Sequence, residues 1–431
     1  MKRKIMNELL LWKEKKSDMP FMLIGARQVG KTYIIKEFCK NNYDKFLYIN
    51  LEYEEDIKKI FDKTLIPEEI IDTIGLLKNI SIDPETTAIF FDEIQVSEGA
   101  VTSLKYFNES SINYNILSAG SLLGVALNRF SSSFPVGKVY RNYMYPLDFQ
   151  EFLWGIGEER LDEEIQKSYE SSKALMEPIH KKSLDLYRDY LFVGGMPASI
   201  LEYIEKEKKL SQYDSMIKRR ILDDYIADMS KYTTSAEHQK IIKVFQSLPK
   251  QLGRENRFKY STIDKKGSKR KFQTSIDWLI NSKIAYQCNL VENPKIPLKA
   301  YEKDNIFKLY GNDTGLLMSL SDMTAADLIG NESNLYKGML TENYVAQSFA
   351  SNQIKLHFWK SKNNAEIDFL ISYKGSVVPV EVKSATNTKS KSLKYYREKY
   401  SPNLSMKISA NNFNESNGVK SIPLYSAYLI R

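Results

Sequence analysis

The chain has 431 residues, of which 27% are charged and 42% hydrophobic, and it carries a formal net charge of +8. That length exceeds one simple core and predicts two to four globular domains, and no apolar run of about eighteen residues predicts a membrane-spanning helix. Cys39 and Cys288 lie far apart without metal spacing, which fits a reducing cytoplasm, and three histidines (His180, His238, His357) exclude a His-rich metal site as an expectation. The modest basicity permits contact with nucleic acid, and a solvated lysine-rich surface accounts for it equally well.

The start, Met1-Lys2-Arg3-Lys4, is interrupted by Asn7 and Glu8 and reads as an amphipathic helix over residues 1–20 rather than a signal peptide. Pro20 then introduces a short apolar strand, Phe21-Met22-Leu23-Ile24, followed by Gly25-Ala26-Arg27-Gln28-Val29-Gly30-Lys31-Thr32 and a segment of helical spacing. This is G-x-x-x-x-G-K-[ST] in the strand–loop–helix setting that a phosphate-binding loop requires. Glycines let backbone N–H groups curl around phosphates, and the following helix offers its positive end. Lys31 is expected to reach the β- and γ-phosphates of ATP and the Thr32 hydroxyl to ligate Mg²⁺.

Phe46–Leu51 is a second strand, with a charged helix from Glu54 to Lys63 after it. Thr87-Ala88-Ile89-Phe90-Phe91 is continuously apolar and ends in Asp92-Glu93, as expected of a parallel strand buried on both faces. In an AAA-type ATPase such a pair divides the work: Asp92 supports the metal, and Glu93 polarises the attacking water. Tyr114–Ser121 is a further strand. Ser121 or Ser118 at its end is placed to sense the γ-phosphate, with a helix N-cap as the other reading. Arg129 and Arg141 are candidates for a trans-acting arginine or are surface residues, and Arg27 could lie beside the nucleotide or pair with an acid. Alternating strands and helices make this an α/β domain with a parallel sheet.

From Phe149 to about Tyr232 the pattern is helical, broken at Gly194-Gly195-Met196-Pro197. Residues 236–325 show helices, a basic connector containing Lys265, Lys266, Lys269, Arg270 and Lys271, and a two-stranded return from Ile284–Cys288 to Leu298–Tyr301. This predicts a winged-helix-like unit. The last segment predicts a helix, strands at His357–Trp359, Ala365–Ser372 and Val377–Lys383, and a basic helix bearing Lys389, Lys391, Lys394, Arg397 and Lys399. Such a helix tracks a phosphate backbone or is simply solvated. The expected domains are 1–155 (P-loop ATPase), 156–232 (helical lid), 233–325 (winged-helix-like) and 326–431.

Asp368, Glu381 and Lys383 form the D…E-x-K arrangement of the restriction-endonuclease-like fold. Strand alternation puts Glu381 and Lys383 on one face, and a hairpin brings Asp368 beside them. Two carboxylates would hold Mg²⁺ and the lysine would orient the attacking water, with Glu342 on the preceding helix as a further ligand. The same three-residue pattern recurs at Glu14-Lys15-Lys16 and Glu207-Lys208-Lys209, so the two apolar strands carry the signal.

The set Gly25–Thr32, Phe90-Phe91-Asp92-Glu93-Ile94-Gln95, Ser118-Ala119-Gly120-Ser121-Leu122-Leu123-Gly124 and Tyr145–Leu153, with Gly194–Pro197 and Asp313-Thr314-Gly315-Leu316, resembles one family across nearly the whole chain. It is the bacterial and archaeal AAA-type P-loop ATPases that carry a C-terminal domain of unknown function. The resemblance implies ATPase activity, a winged-helix-like middle and a restriction-endonuclease-like end. Many relatives carry Gly-Arg before the Tyr-Pro-Leu segment where this chain has Gly137-Lys138. The combined expectation is a cytoplasmic, Mg²⁺-dependent ATPase, possible as a homo-oligomer, that acts on DNA or RNA. The alternatives are a nucleotide-controlled assembly switch and a DNA-binding regulator with an inactive nuclease-like domain.

Overall fold

Five short strands with little alternation build the first sheet. β1 (Phe21–Ile24) and β3 (Thr87–Asp92) are buried at every position, and β4 (Asn115–Gly120) at all but its first. Parallel strands covered on both faces look like this. β2 (Lys45–Asn50) and β5 (Tyr140–Tyr143) are more exposed and form the two edges. The order is β2-β3-β4-β1-β5, and every pairing is parallel. β4 therefore separates the strand that feeds the glycine loop from the strand that ends in Asp92. All three open at their C-terminal ends, the side of an open α/β sheet on which ligands bind.

The computed structural model describes residues 1–15, 17–126, 136–254, 257–329, 334–362, 365–386 and 390–431. These gather into two compact units, one of Lys2–Tyr145 with Asn281–Lys283, the other of Met1, Pro146–Ile280 and Ile284–Arg431. The expected boundaries at 232/233 and 325/326 fall inside the second unit. In the first, helices Lys31–Asn42, Glu55–Lys63, Pro67–Lys78 and Glu98–Glu109 cover the sheet. Ile49, Ile70, Phe91 and Leu104 lie in its fully buried core. Ser97 starts the last of these helices by accepting from the Ala100 N–H at 3.1 Å, a side-chain N-cap.

The second unit begins with helices between Phe149 and Asp228. Its centre is an eight-stranded mixed sheet of β6 (Ala285–Val291), β7 (Glu302–Gly311), β8 (His357–Lys360), β9 (Glu366–Tyr373), β10 (Ser376–Val382), β11 (Ser405–Ser409), β12 (Asn414–Ser416) and β13 (Val419–Pro423), in the order β12-β13-β11-β10-β9-β8-β6-β7. The hairpin expected as a wing is thus an edge of this sheet, because β6 pairs in parallel with β8. The return strand also differs: Leu298–Tyr301 is a short 3₁₀ turn, and the strand that pairs back is Glu302–Gly311.

Candidate functional site

Two chemically distinct clusters follow from this architecture. At the first, the loop from Gly25 to Gly30 leaves β1 and enters the helix Lys31–Asn42. A Cβ at Gly25 would stand 2.2 Å from the Met144 carbonyl oxygen, so no side chain fits there. Gly30 has φ of 99°, a left-handed conformation that glycine adopts without cost. Gln28 shares that region at φ 64°, held there by its surroundings. Ala26 and Val29 are buried while Arg27 is half-buried. The buried Lys31 Nζ donates to the carbonyls of Gly25 at 3.0 Å and Ala26 at 2.8 Å.

The Thr32 hydroxyl donates to Asp92 Oδ2 at 2.8 Å, bringing together two positions sixty residues apart. Tyr48 OH donates to the same oxygen at 3.1 Å. Burial, the largest influence, pushes the Asp92 carboxyl above the ordinary range, against the pull of these hydrogen bonds. Glu93 sits at φ 51°, and its Oε2 accepts from Ser121 Oγ at 3.2 Å and Gln95 Nε2 at 2.5 Å. A non-glycine residue in the left-handed region at the end of a strand is a strained position of the kind that functional sites hold. Ser118 is not part of this arrangement, since its hydroxyl donates to the Phe21 carbonyl inside the sheet. The structure brings the glycine loop, Asp92, Glu93 and Ser121 to one end of the sheet. Arg129 lies outside the described residues, Arg141 is exposed with its guanidinium 5.8 Å from the Tyr143 ring, and Lys138 pairs with Glu109 at 3.1 Å.

Sequence reasoning overlooked the supports of this site. Arg3 is buried, with Nη1 donating to the Val29 carbonyl at 2.8 Å and Nη2 to that of Tyr145 at 2.7 Å, which ties the N-terminal segment to the loop. Tyr48 and Gln95 are the other two. Register sets Tyr48 opposite Phe90 and Asn50 opposite Asp92, so the contact of Tyr48 with Asp92 exists only once β2 and β3 pair.

The second cluster lies in the eight-stranded sheet. β9 and β10 form a hairpin closed by Lys374-Gly375, and Val380 pairs with Phe369, which sets Glu381 opposite Asp368. Asp368 Oδ2 accepts the Val382 N–H at 2.7 Å, and Lys383 Nζ lies 2.7 Å from Glu381 Oε1. Glu381 is buried, and its Oε2 has no hydrogen-bond partner among the described residues. Burial, reinforced by Glu342 and Glu381, pushes the Asp368 carboxyl well above its usual range.

Glu342 is engaged elsewhere. Its Oε1 lies 2.8 Å from Lys308 Nζ and accepts a short hydrogen bond from Tyr310. Burial, the largest influence, would raise the Glu342 carboxyl, but Lys308, Tyr310 and Lys383 together hold it below the ordinary range. Lys308 also lies 2.8 Å from Glu366 Oε1. Among the described residues no three His, Cys, Asp or Glu side chains converge as metal ligands. The expected trio Glu342, Asp368 and Glu381 is therefore not assembled around one point, because Glu342 is turned to Lys308. Neither Lys308 nor Glu366 was foreseen, since a lone lysine in β7 carries no motif.

Three family models match the chain. Residues 17–153 match an AAA domain, residues 184–327 a domain of unknown function (DUF8612), and residues 337–427 a second domain of unknown function (DUF4143). No curated protein matches. Among solved structures, a Walker-type ATPase of Pyrococcus abyssi is similar at 15% identity, covering 74% of this chain and 95% of its own, with a TM-score of 0.44. The ORC2 protein of Aeropyrum pernix, solved in ADPNP–ADP complexes, is similar at 11% identity over 78% of this chain and 92% of its own, with a TM-score of 0.38. Drosophila ORC bound to DNA is similar at 10% identity over 73% of this chain and 85% of its own, with a TM-score of 0.28. No helix among the described residues is long and apolar enough to cross a membrane. The parallel sheet, its glycine loop and the family match agree: residues 17–153 form a P-loop domain of the AAA type.

Proposed function

We propose that this protein hydrolyses ATP at the glycine loop and acts on nucleic acid through the Asp368–Lys383 set. The observation that carries the first part is the 2.8 Å contact between the Thr32 hydroxyl and the Asp92 carboxylate, with Glu93 held beside it by Ser121 and Gln95. Two oxygen donors that already meet suit Mg²⁺, which takes few protein ligands and shares the rest between water and phosphate. Thr32 would hold it directly and Asp92 through its water shell. The ion supplies charge neutralisation on the phosphoryl oxygens. Loop N–H groups and Lys31 bind the phosphates, and Glu93 takes the proton of the water that attacks the γ-phosphorus as the bond to the leaving oxygen breaks. Ser121 orients Glu93 or senses the γ-phosphate. A homo-oligomer supplying an arginine is compatible with this scheme.

The nuclease part rests on the hairpin that sets Asp368 opposite Glu381 and on Glu381 Oε2, which is buried without a hydrogen-bond partner among the described residues. Asp368 and Glu381 would hold Mg²⁺, which would stabilise charge on the scissile phosphate, and Lys383 would orient water. Lys394, Arg397 and Lys407 line an open cavity of about 530 Å³ on the helix Lys391–Tyr400 and could hold the phosphate backbone. The test is a divalent titration of cleavage on single- and double-stranded DNA and RNA, with and without ATP. Cleavage lost in Asp368→Ala with ATP turnover retained supports the reading, and no cleavage with any metal refutes its nuclease part. A nucleotide-controlled switch that cuts nothing is the second reading. The ion pairing of Lys308 with Glu342 and Glu366 favours it, and ATP-dependent oligomerisation without cleavage would establish it.

A further inference from the structure

Lys308 is a full positive charge placed where an acidic cluster would otherwise need a metal. Its side chain is only 8% exposed, and Nζ lies 2.8 Å from both Glu342 Oε1 and Glu366 Oε1. Tyr310, two residues on in β7, donates to the same Glu342 oxygen. Lys360 stands 3.6 Å from the other oxygen of Glu366. A buried ammonium at such distances from two carboxylates is retained only because the paired charges compensate one another. Glu366 Oε2 and Glu381 Oε2 are both buried without a hydrogen-bond partner among the described residues, but Glu366 carries Lys308 on its other oxygen, whereas Glu381 lies opposite Asp368.

We propose that Lys308 is a resident cation that occupies the Glu342–Glu366 side of the cluster and confines a divalent ion to Asp368 and Glu381. The inference rests on the nuclease-like reading of Asp368 and Glu381 for its second half and on the Lys308 contacts alone for its first. It makes the β6–β7 hairpin a working part of the C-terminal site, although it precedes the segment in which the D…E-x-K residues lie. It also removes Glu342 from the ligand set.

The experiment is Mn²⁺ binding to the nucleotide-free full chain, read by calorimetry and by the Mn²⁺-dependent change in melting temperature. Glu342→Gln is expected to bind Mn²⁺ within about threefold of wild type, because Lys308 already holds that carboxylate. A loss of about tenfold or more makes Glu342 a ligand and overturns the proposal. Lys308→Met exposes the cluster to the ion. It is expected to melt early without metal and to gain both Mn²⁺ affinity, by about tenfold, and a larger Mn²⁺-dependent rise in melting temperature than wild type. No gain in either readout overturns the proposal. Should Lys308→Met not fold, Lys308→Met with Glu342→Gln removes the cation and one acid together, and the same gain, now through Glu366 and Asp368, is required. Wild type that binds no Mn²⁺ while Lys308→Met does would refute the nuclease reading and uphold Lys308 as the resident cation.

Discussion

Lys31 and Lys308 are both buried lysines, and the contacts described for them differ. Lys31 donates to two backbone carbonyls of its own loop, and the nearby Asp92 takes hydrogen bonds from the hydroxyls of Thr32 and Tyr48. Lys308 sits between two carboxylates, and burial, the largest influence, which would lower it, is outweighed by Glu342, Glu366 and Asp368 together, so it is held above the usual lysine range. The Lys308 charge is matched by carboxylates of the chain itself. On the proposed reading the first cluster responds to phosphate, whereas in the second the loss of one partner would leave a buried charge uncompensated.

That contrast makes the two sites fail differently. Glu93→Gln should slow ATP hydrolysis by about 10²- to 10⁴-fold and leave nucleotide binding and melting nearly unchanged. Equal loss of binding, measured with a fluorescent ATP analogue, would show that Glu93 supports the loop rather than the reaction. Lys308→Met should instead cost about 3–5 kcal/mol of stability in metal-free buffer, as breaking a buried pair does, and leave ATP turnover intact at temperatures where the variant is folded. Urea unfolding measures the first and phosphate release the second. A neutral result in urea would mean that the cluster is solvated and the contrast empty.

Lys218 sharpens the comparison as a third case. Like Lys31 it donates to a carbonyl, that of Phe192 at 2.7 Å, with its Nζ 3.6 Å from the centre of the Phe192 ring. It is 1% exposed, and burial lowers it to about 7, with Asp313 opposing. The folded chain then holds fewer protons than the unfolded chain between about 7 and the ordinary lysine value of 10.5, so stability rises with pH across that window. The slope is at most about 1.4 kcal/mol per pH unit. Urea midpoints at pH 7 and pH 9 should rise for wild type and stay flat for Lys218→Met, and parallel slopes would remove Lys218 as the cause. The smallest effect is expected at Ser97→Ala, about 1 kcal/mol from the lost N-cap, with turnover unaffected. Any change in turnover there would tie the helix to Glu93 more closely than packing suggests.

Motifs were legible where chemistry fixes the spacing. The glycine loop, Asp92-Glu93 and the β9–β10 hairpin stand within a residue or two of their expected places, because apolar runs and turn residues mark them locally. β5 was unreadable, since Tyr140–Tyr143 is short and half-exposed and becomes a strand only by pairing with β1. The wing was misread for a related reason. A hairpin looks alike whether it stands free or extends a sheet, and the deciding pairing of β6 with β8 spans residues 289–291 and 357–359. Lys308 and Arg3 are lone cations whose roles exist only in the folded chain, so spacing could not reveal them.

The central claim is that Thr32, Asp92 and Glu93 form a working hydrolysis site around Lys31. The direct measurement is Mg²⁺-dependent phosphate release from ATP by the full chain beside Lys31→Ala. Steady release by wild type, falling to background in a variant that melts at the same temperature, is the predicted result. Equal release by both proteins, or none by wild type at any Mg²⁺ concentration, would contradict it.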